Sequence, residues 1–437
     1  MNQILTLRDY DKELATILSQ IKRTLTVANS ELLLRYKRQL VNEGLSQSAI
    51  LKYLKFLRLI CANYGIDNLS HASKTELAKV WEDIMQSKYS LWTKKDFGIT
   101  LKKFYRWLRS EEGYPKDYYD ETLAGKKLDD DTTPYEVKNI HPPARSKCMR
   151  TPSREDLLTE EEISKLIKNT KNFRDKAFLS CLYESAARIS EIGSLRLRDV
   201  KFDEYGAVLN LIGKTGQRAV RIIASAQHLK QWMENHPFKN NRNAPLWIMS
   251  NTDDAPMTYD AFRMMLKRLM ERCHIDKDSN PHLFRHSRLT HLAAQGLTEY
   301  QLNQFAGWVH GSQVASTYVK LSGRDLDDKI LEVNGIVKPK EQSKVLLQPI
   351  QCPRCKEINA PDSISCNRCW LPLGVKAITN MDDILDITLD DNPRALAQVM
   401  RKMKGELLKE FEPILQESKN NREILKKVEV LIKKSRR

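Results

Sequence analysis

The sequence predicts a mainly α-helical protein of several domains, with one small antiparallel β-hairpin sheet and a compact four-cysteine module. Three observations support this fold class. Long segments place apolar residues three and four positions apart, which is the spacing of one helix face. Residues 207–223 instead contain two β-prone runs joined by a Gly-Lys-Thr-Gly turn. Two Cys-x-x-Cys pairs lie ten residues apart within 352–369.

Length and composition restrict the class of protein. The 437 residues are enough for two or three domains that each have a core. The 72 Lys and Arg residues exceed the 56 Asp and Glu residues, and the net charge of +16 favours a polyanionic partner, with nucleic acid first. No apolar run has the length of a membrane span, and the charged first residues lack the apolar stretch of a signal peptide. We therefore expect a cytoplasmic, DNA-associated protein with no membrane partner.

The first part of the chain predicts a helical extension at 1–25 and a helical domain at 26–113. Within Ser48–Gly65 the predicted apolar face consists of Ile50, Tyr53, Leu54, Leu57 and Ile60. Within Ser90–Gly113 it consists of Leu101, Phe104, Tyr105 and Leu108. Basic residues interleave with these aromatic residues, and the candidate DNA-binding set is Lys94, Lys95, Lys102, Lys103 and Arg106. Each lysine alone is typical of a solvated face, but the set predicts a surface that follows DNA phosphates.

Residues 114–157 predict a linker, because prolines and scattered charges replace the regular apolar face. A helix is predicted to begin after Thr159, since Glu162 follows three residues later and the two can form a capping box. The domain that begins here, 158–340, is mostly helical apart from the hairpin. It is the predicted catalytic domain.

The paired cysteines predict a structural zinc ribbon at 350–372. Four thiolates close the tetrahedral coordination of Zn²⁺ and leave no open position, so that the ion would have a structural and not a catalytic role. The predicted ligands are Cys352, Cys355, Cys366 and Cys369. Residues 380–437 predict an acidic segment followed by a basic amphipathic helical tail, for which oligomer contact and contact with the DNA backbone both remain open.

A cluster of His and Arg residues lies in Pro281–His291, and no acidic residue accompanies it. A nuclease metal site would need carboxylate ligands there. His282 and Arg285 are one helical turn apart and share a face. Upstream, Arg188 interrupts an apolar segment, where a charge is costly unless it is paired or binds an anion. An ion pair with Glu191 at i,i+3 spacing is the alternative explanation.

Four further residues complete the candidate set. Lys214 lies at the tip of the predicted hairpin, and Trp308, His310 and Tyr318 follow the His/Arg cluster. In this order the residues resemble the tyrosine recombinase (phage integrase) family over residues 160–325, with a looser match at 26–112. The matching segments are ARISEIGSLRLRDV, GKTGQRAV, HLFRHSRLTHLAAQG and AGWVHGSQVASTYV. The appended zinc ribbon looks most like that of archaeal or mobile-element members.

The resemblance implies a role for each residue. Tyr318 would attack a scissile phosphate and form a 3′-phosphotyrosyl link. Arg188 and Arg285 would bind the non-bridging oxygens and stabilise the transition state. Lys214 would protonate the leaving 5′-oxygen, and His282 would assist proton transfer. The chemistry implied needs neither ATP nor a catalytic metal.

Supporting positions depart from the commonest family pattern in one place. Glu191 matches an acidic position that supports the arginine or the histidine. Many members have Gly-His nine residues before the tyrosine, but this chain has Gly307-Trp308 ten residues before it and His310 eight residues before it. We favour Trp308 for the penultimate catalytic position, with His310 as the alternative. His286 and His291 are interpreted as structural residues near the site.

The resemblance therefore implies a site-specific DNA recombinase whose two helical domains clamp duplex DNA. It would be a monomer or dimer when free and a homotetramer on two DNA sites. A type IB-like topoisomerase shares the chemistry and is one alternative. A catalytically inactive zinc-ribbon DNA-binding regulator is the other.

Overall fold

A computed structural model describes residues 5–111, 133–148, 153–213, 216–249, 254–309, 312, 314–321, 334 and 347–373. The chain divides into two compact units. The first is Thr6–Ser153, and the second consists of Arg154–Arg437 together with Met1–Leu5. The acidic segment and basic tail predicted at 380–437 lie outside the described residues. Across the described residues, no helix has both the length and the apolar character of a membrane span.

The first unit is built of helices. They are α1 (Tyr10–Thr24), α2 (Val27–Asn42), α3 (Gln47–Tyr64), α4 (Lys74–Gln86), α5 (Leu91–Glu111) and the short α6 (Arg145–Cys148). The apolar faces predicted for α3 and α5 are confirmed, because Leu54, Leu57, Leu101 and Phe104 are fully buried in one shared core. Periodic apolar spacing therefore located both helices correctly.

Part of the segment predicted as a linker packs within this unit. Val137 and Ile140 are fully buried and belong to the same core as α3 and α5. They belong to a short 3₁₀ turn, Tyr135–Val137, and to the residues just after it. Two buried residues in so short a stretch create no periodic pattern, which is why the sequence did not indicate them.

The second unit combines helices with a small sheet. Its elements are α7 (Glu160–Lys168), α8 (Phe173–Ser185), α9 (Ile189–Gly193), β1 (Val200–Asp203), β2 (Gly206–Gly213), β3 (Gly216–Ile222), α10 (Ala226–Glu234), α11 (Tyr259–Arg272), α12 (Pro281–Ala294), α13 (Glu299–Ala306), α14 (Val314–Leu321), β4 (Ile350–Gln351) and β5 (Ile358–Asn359). The capping box at Thr159 and Glu162 is present, and it begins α7.

The predicted hairpin is confirmed and extended by one strand. Strands β1, β2 and β3 form an antiparallel sheet in that order. Gly213 pairs with Gly216 at the turn, and Leu209 pairs with Val220 further along. The side chains of Leu209 and Val220 are buried, so one face of the sheet packs on the helices. The predicted fold class, mainly α with a small antiparallel sheet, is correct.

Helix α8 is the central element of the second unit. Phe178, Leu179, Cys181 and Leu182 are all fully buried, and the helix packs against α7, α10, α12 and β3. It ends at Ala186, which has a left-handed backbone conformation with φ of 46°. The chain then turns directly into α9, so the residues between the two helices lie inside the unit.

Candidate active site

Arg188 and Glu191 form an ion pair at the start of α9. The Arg188 backbone N–H donates to Glu191 Oε2 (2.9 Å), and its guanidinium Nη1 donates to Glu191 Oε1 (2.6 Å). The Glu191 side chain is 2% exposed, whereas the Arg188 side chain is 26% exposed. The i,i+3 pair that the sequence offered as an alternative is therefore present. Part of the arginine nevertheless remains accessible.

A third charged residue, Arg218 of β3, joins this pair. Its Nη2 donates to Glu191 Oε2 at 2.8 Å. Burial lowers the pKa of Arg218, although the Glu191 carboxylate opposes this shift. Arg218 is not among the residues that the sequence motifs indicate, although a signal was available. Arg218 shares a strand face with the buried residues Val220 and Ile222, and a charge on an inward face is unusual.

Two glycines allow neighbouring elements to approach these charges. A Cβ on Gly213 of β2 would lie 2.5 Å from Glu191 Oε1. A Cβ on Gly307, which follows α13 with φ of +66°, would lie 2.7 Å from Arg218 Cδ. Neither distance is compatible with a normal contact. A larger residue at either position would therefore require the Glu191 or Arg218 side chain to shift, and glycine lets the hairpin and the end of α13 lie against this pair.

Arg285 of α12 lies deeper, with 4% exposure. Its Nη1 donates to the Ala186 carbonyl (2.5 Å), and its Nη2 donates to the Ala306 carbonyl (2.8 Å). Burial and the nearby charge of Arg188 lower the pKa of Arg285 to about 10, so it still carries a proton at neutral pH. Two backbone carbonyls thus fix the direction of a buried cation.

His282 lies one helical turn before Arg285 on α12 and is exposed. Partial desolvation lowers the pKa of His282, and the positive charges of Arg285 and Arg188 lower it further. The ring is therefore uncharged at neutral pH and can accept a proton. His282 shares a face of α12 with Arg285, and its ring centroid lies 6.5 Å from that of His286.

Tyr318 of α14 is 4% exposed, and its hydroxyl lies 2.6 Å from His286 Nδ1. Burial raises the pKa of Tyr318 to about 12, while the positive charge of Arg285 opposes this shift. Burial, His282 and Arg285 lower the pKa of His286 to about 4. Both groups are therefore neutral at pH 7, and they share one hydrogen bond whose donor is set by the tautomer of His286.

Trp308 connects the tyrosine to the buried arginine. Its ring stacks on Tyr318 with centroids 5.5 Å apart and planes at 19°. The Arg285 guanidinium lies 5.3 Å from the centre of the Trp308 ring, within the range of a cation–π contact. The structure thus brings Trp308 to both residues. His310, the alternative, and Lys214 both lie outside the described residues.

His286 is interpreted from the sequence as a structural residue, but the structure places it in direct contact with Tyr318. The available signal was its spacing, because His286 follows His282 by one helical turn. The two rings have centroids 6.5 Å apart, and the His286 ring also stacks on Tyr318. The histidine beside the phenol is therefore His286.

A pH titration tests the neutral state of His286. Its pKa of about 4 in the folded protein lies below the value of about 6.5 in an unfolded chain, so the unfolded state binds the proton more readily. The free energy of unfolding should therefore fall as the pH is lowered from 6.5 to 4.5. We expect His286→Asn to reduce this fall by on the order of 2 kcal/mol, as measured by urea unfolding.

His291 also has its pKa lowered by burial to about 4, so His291→Asn should reduce the slope independently. An unchanged slope in His286→Asn would contradict a buried neutral ring.

The five predicted DNA-binding residues all lie on α5 of the first unit. Lys94 is 9% exposed and donates from Nζ to the Met85 carbonyl (2.7 Å). Lys103 pairs with Glu43 at 2.8 Å. The other three are partly exposed, and they are Lys95, Lys102 and Arg106. Two members of the predicted surface are thus engaged inside their own unit.

The four predicted metal ligands come together. The Sγ atoms of Cys352, Cys355, Cys366 and Cys369 all lie within 4.8 Å of one another. Cys352 and Cys369 are 3.5 Å apart at sulfur, as are Cys355 and Cys366. A tetrahedral zinc ion with Zn–S bonds of about 2.3 Å requires S···S distances of roughly 3.8 Å. The cluster therefore fits a tetrahedral metal ion.

The second unit carries a family signature. Residues 156–324 match the sequence profile of the phage integrase family. This segment belongs to the phage integrase family. The resemblance stated from the sequence is thereby confirmed, and the matched segment contains Arg188, His282, Arg285, Trp308 and Tyr318.

Curated proteins that resemble this chain are tyrosine recombinases. The chain is 25% identical over 195 residues to tyrosine recombinase XerC of Staphylococcus haemolyticus. The aligned region covers 42% of this chain and 63% of that protein. It is 27% identical over 184 residues to tyrosine recombinase XerA of Pyrococcus horikoshii, covering 40% of the chain and 59% of the relative. The chain thus spans about three fifths of the length of these relatives.

Among solved structures, the chain resembles the XerH site-specific recombinase bound to a palindromic difH substrate in a post-cleavage complex. The TM-score is 0.52 at 17% identity, and the match covers 76% of this chain and 91% of that one. The pre-cleavage complex of XerH gives a TM-score of 0.50 at 16% identity, covering 76% and 90%. These similarities show that the fold is shared.

Proposed function

We propose that the chain is a site-specific DNA recombinase that cuts and rejoins duplex DNA through a covalent 3′-phosphotyrosyl intermediate. The observation that carries the proposal is the placement of the Tyr318 phenol. It contacts Trp308, which in turn contacts the buried cation Arg285, all within the segment that matches the integrase family. A buried phenol beside fixed cations suits attack on a phosphodiester.

In the proposed reaction, the phenol oxygen attacks phosphorus and the bond to the 5′-oxygen of the next nucleotide breaks. The phosphotyrosine preserves the energy of the broken bond, so that a 5′-hydroxyl can reverse the step without ATP. Arg188 and Arg285 bind the non-bridging oxygens, whose negative charge increases in the transition state. The Glu191 contacts at 2.6 and 2.9 Å support this role, because they hold Arg188 in one direction.

Proton transfer accompanies both bond changes. His286 Nδ1 lies 2.6 Å from the phenol oxygen, so we assign to its Nε2–H tautomer, in which Nδ1 accepts, the first movement of that proton. His282 lies on the same face of α12 and assists from there. Lys214 supplies a proton to the departing 5′-oxygen, as the family resemblance implies. Trp308 fills the penultimate position and holds Tyr318 by stacking, with His310 as the alternative.

Duplex DNA is the proposed partner, and the net charge of +16 favours it. We propose that the helical region at 26–113 and the catalytic region at 158–340 clamp the duplex, with Lys95, Lys102 and Arg106 among the phosphate contacts. A homotetramer on two DNA sites, formed from free monomers or dimers, and a cytoplasmic location belong to the same proposal.

A plasmid assay tests recombination directly. Supercoiled plasmids with and without paired candidate repeats, taken from DNA that flanks the gene, are incubated with the purified full chain and no added divalent metal ion. We expect joint products only from the paired-site plasmid, together with a protein–DNA adduct that survives detergent. Relaxation of every plasmid without joint products would contradict the proposal and indicate topoisomerase activity.

We further propose that Cys352, Cys355, Cys366 and Cys369 bind one structural Zn²⁺ as a zinc ribbon. The convergence of their four sulfurs within 4.8 Å supports this. The ion would hold the fold of the module and take no part in the reaction.

Zinc analysis gives the corresponding prediction. Purified protein should contain about one zinc per chain, and Cys366→Ser should lower the zinc affinity at least ~100-fold, because one thiolate ligand is lost. The matched control is Cys273→Ala, a buried cysteine at the end of α11, which should retain the metal. Full zinc retention in Cys366→Ser would contradict a four-cysteine site.

A further inference from the structure

The four-cysteine module contacts the rest of its unit through a short loop. The four residues Ala360–Ser363 lie between the two cysteine pairs and face helices α8 and α10. The Gln227 side-chain oxygen of α10 accepts the Ala360 backbone N–H, and it also accepts the Ser363 hydroxyl at 2.9 Å. One side chain thus binds the loop at two points.

Asp362 is the centre of the contact. Its Oδ1 lies 2.7 Å from His228 Nε2 of α10, and its Oδ2 lies 2.6 Å from Lys176 Nζ of α8. His228 is 5% exposed, and its other nitrogen lies 2.9 Å from the Ser180 hydroxyl of α8. A carboxylate that is 16% exposed is therefore bound between two helices.

These contacts form a specific interface between the loop and the two helices. Gln227, His228 and Ser180 are each less than a tenth exposed, so their polar groups have been removed from water and need partners. The loop supplies partners for Gln227 and His228, and Ser180 binds His228 from the other side. Beside the contact, a cavity of about 230 Å³ lined by Tyr183, Pro361 and others leaves the joint incompletely packed. Polar contacts, more than apolar burial, therefore hold the loop.

The module itself has little secondary structure and few buried residues that could stabilise the conformation of this loop. Within 350–373, the strands β4 and β5 have two residues each. The buried apolar residues and cysteines of this segment are Cys352, Ala360, Cys366, Leu371 and Leu373. A segment of this size does not bury enough apolar surface to fold alone, and such modules rely on a metal. The position of Asp362 thus depends on the state of the cysteine cluster.

The two helices that the loop contacts also position the candidate active site. At the end of α8, the Ala186 carbonyl accepts from Arg285 Nη1 at 2.5 Å, and Arg188 follows. The Glu184 carboxylate of α8 accepts the backbone N–H groups of Ile223, Ala224 and Ser225, which connect β3 to α10. A movement of α8 relative to α10 would therefore also displace the residues that orient Arg188 and Arg285.

We infer that the four-cysteine module, when its metal is bound, packs on the catalytic unit of the same chain and stabilises it. Its loop Ala360–Ser363 binds the surface formed by α8 and α10. This contact keeps both helices in the positions that orient Arg188 and Arg285. The inference rests on the proposed zinc site. It assigns the module an intrachain partner through this loop.

Hydrogen exchange of the full chain, measured with zinc bound and after zinc removal by a chelator, tests the inference. We expect the amides of α8 to exchange on the order of tenfold faster without zinc, because local opening is no longer opposed by the loop. In Asp362→Ala, zinc should remain at about one per chain, yet α8 should exchange as fast as in the stripped wild type. By linkage, Asp362→Ala should weaken zinc binding by the same factor.

The matched control is Glu357→Ala in the same module, where the carboxylate faces Arg368 at 4.0 Å and not the helices. It should leave α8 exchange unchanged. The inference is overturned if zinc binds but its removal leaves α8 exchange unaltered, or if Asp362→Ala responds to zinc as the wild type does. Absence of zinc binding overturns the inference and the zinc proposal together, whereas the proposed DNA cleavage is judged separately from adduct formation.

Discussion

Replacement of Tyr318 by Phe is expected to abolish the covalent protein–DNA adduct, with a loss of at least about three orders of magnitude in the rate of its formation. The phenol oxygen is the proposed nucleophile, and phenylalanine has none. The ring itself should stay in place, because its stacking on Trp308 and His286 does not involve the hydroxyl. Adducts are measured on denaturing gels with a nicked DNA substrate that traps the intermediate.

The same unit contains a matched control for this variant. Tyr183 is 3% exposed, and its hydroxyl lies 2.7 Å from His291 Nδ1, which repeats the environment of Tyr318 beside His286. Tyr183→Phe removes the same atom from the same kind of pair, and it should keep adduct formation within a few-fold of the wild type. Adduct formation by Tyr318→Phe at the wild-type rate would refute the proposed nucleophile.

Removal of the Glu191 carboxylate is expected to have the largest effect on stability. Glu191→Ala leaves Arg188 and Arg218 without the carboxylate that both contact, at 2.6 and 2.8 Å. Removal of one partner from a buried ion pair typically costs about 3–5 kcal/mol, because the remaining charge is uncompensated. Urea unfolding should show this loss, and adduct formation should fall as well, since Arg188 is no longer held.

Glu191→Gln separates charge from volume, and it should lose less stability because the amide oxygen still accepts a hydrogen bond. The control is Asp203→Asn, which changes an exposed ion pair with Arg221 in the same sheet and should leave the free energy of unfolding nearly unchanged. Stability of Glu191→Ala equal to that of Asp203→Asn would show that the buried carboxylate is not required.

Much of the site was predictable because its residues lie in recognisable local contexts. His282 and Arg285 are one turn apart on a helix, and Arg188 interrupts an apolar segment, so a single stretch of sequence indicated each. The hairpin and the cysteine cluster were equally local. Spacing along the chain is informative where the contacts that matter are short-range.

Arg218 and His286 show where such reasoning ends. Arg218 reaches Glu191 across 27 positions, and His286 reaches Tyr318 across 32. Both contacts depend on how β3 and α14 pack, which the spacing of a single element does not encode. Tertiary packing, which the local sequence pattern does not reveal, brings the side chains of Arg218 and His286 into the site.

Ala186 has a further consequence for how the site is built. A residue with a side chain at φ of 46° carries a conformational cost of about 1–2 kcal/mol that glycine would avoid. Its methyl group, however, is fully buried in the same cluster as Tyr318 and Leu289. Glycine would relieve the strain but remove a methyl group from this cluster and give the backbone more freedom at the carbonyl that binds Arg285. One strained alanine thus fills part of the core around Tyr318 and orients the Arg285 guanidinium.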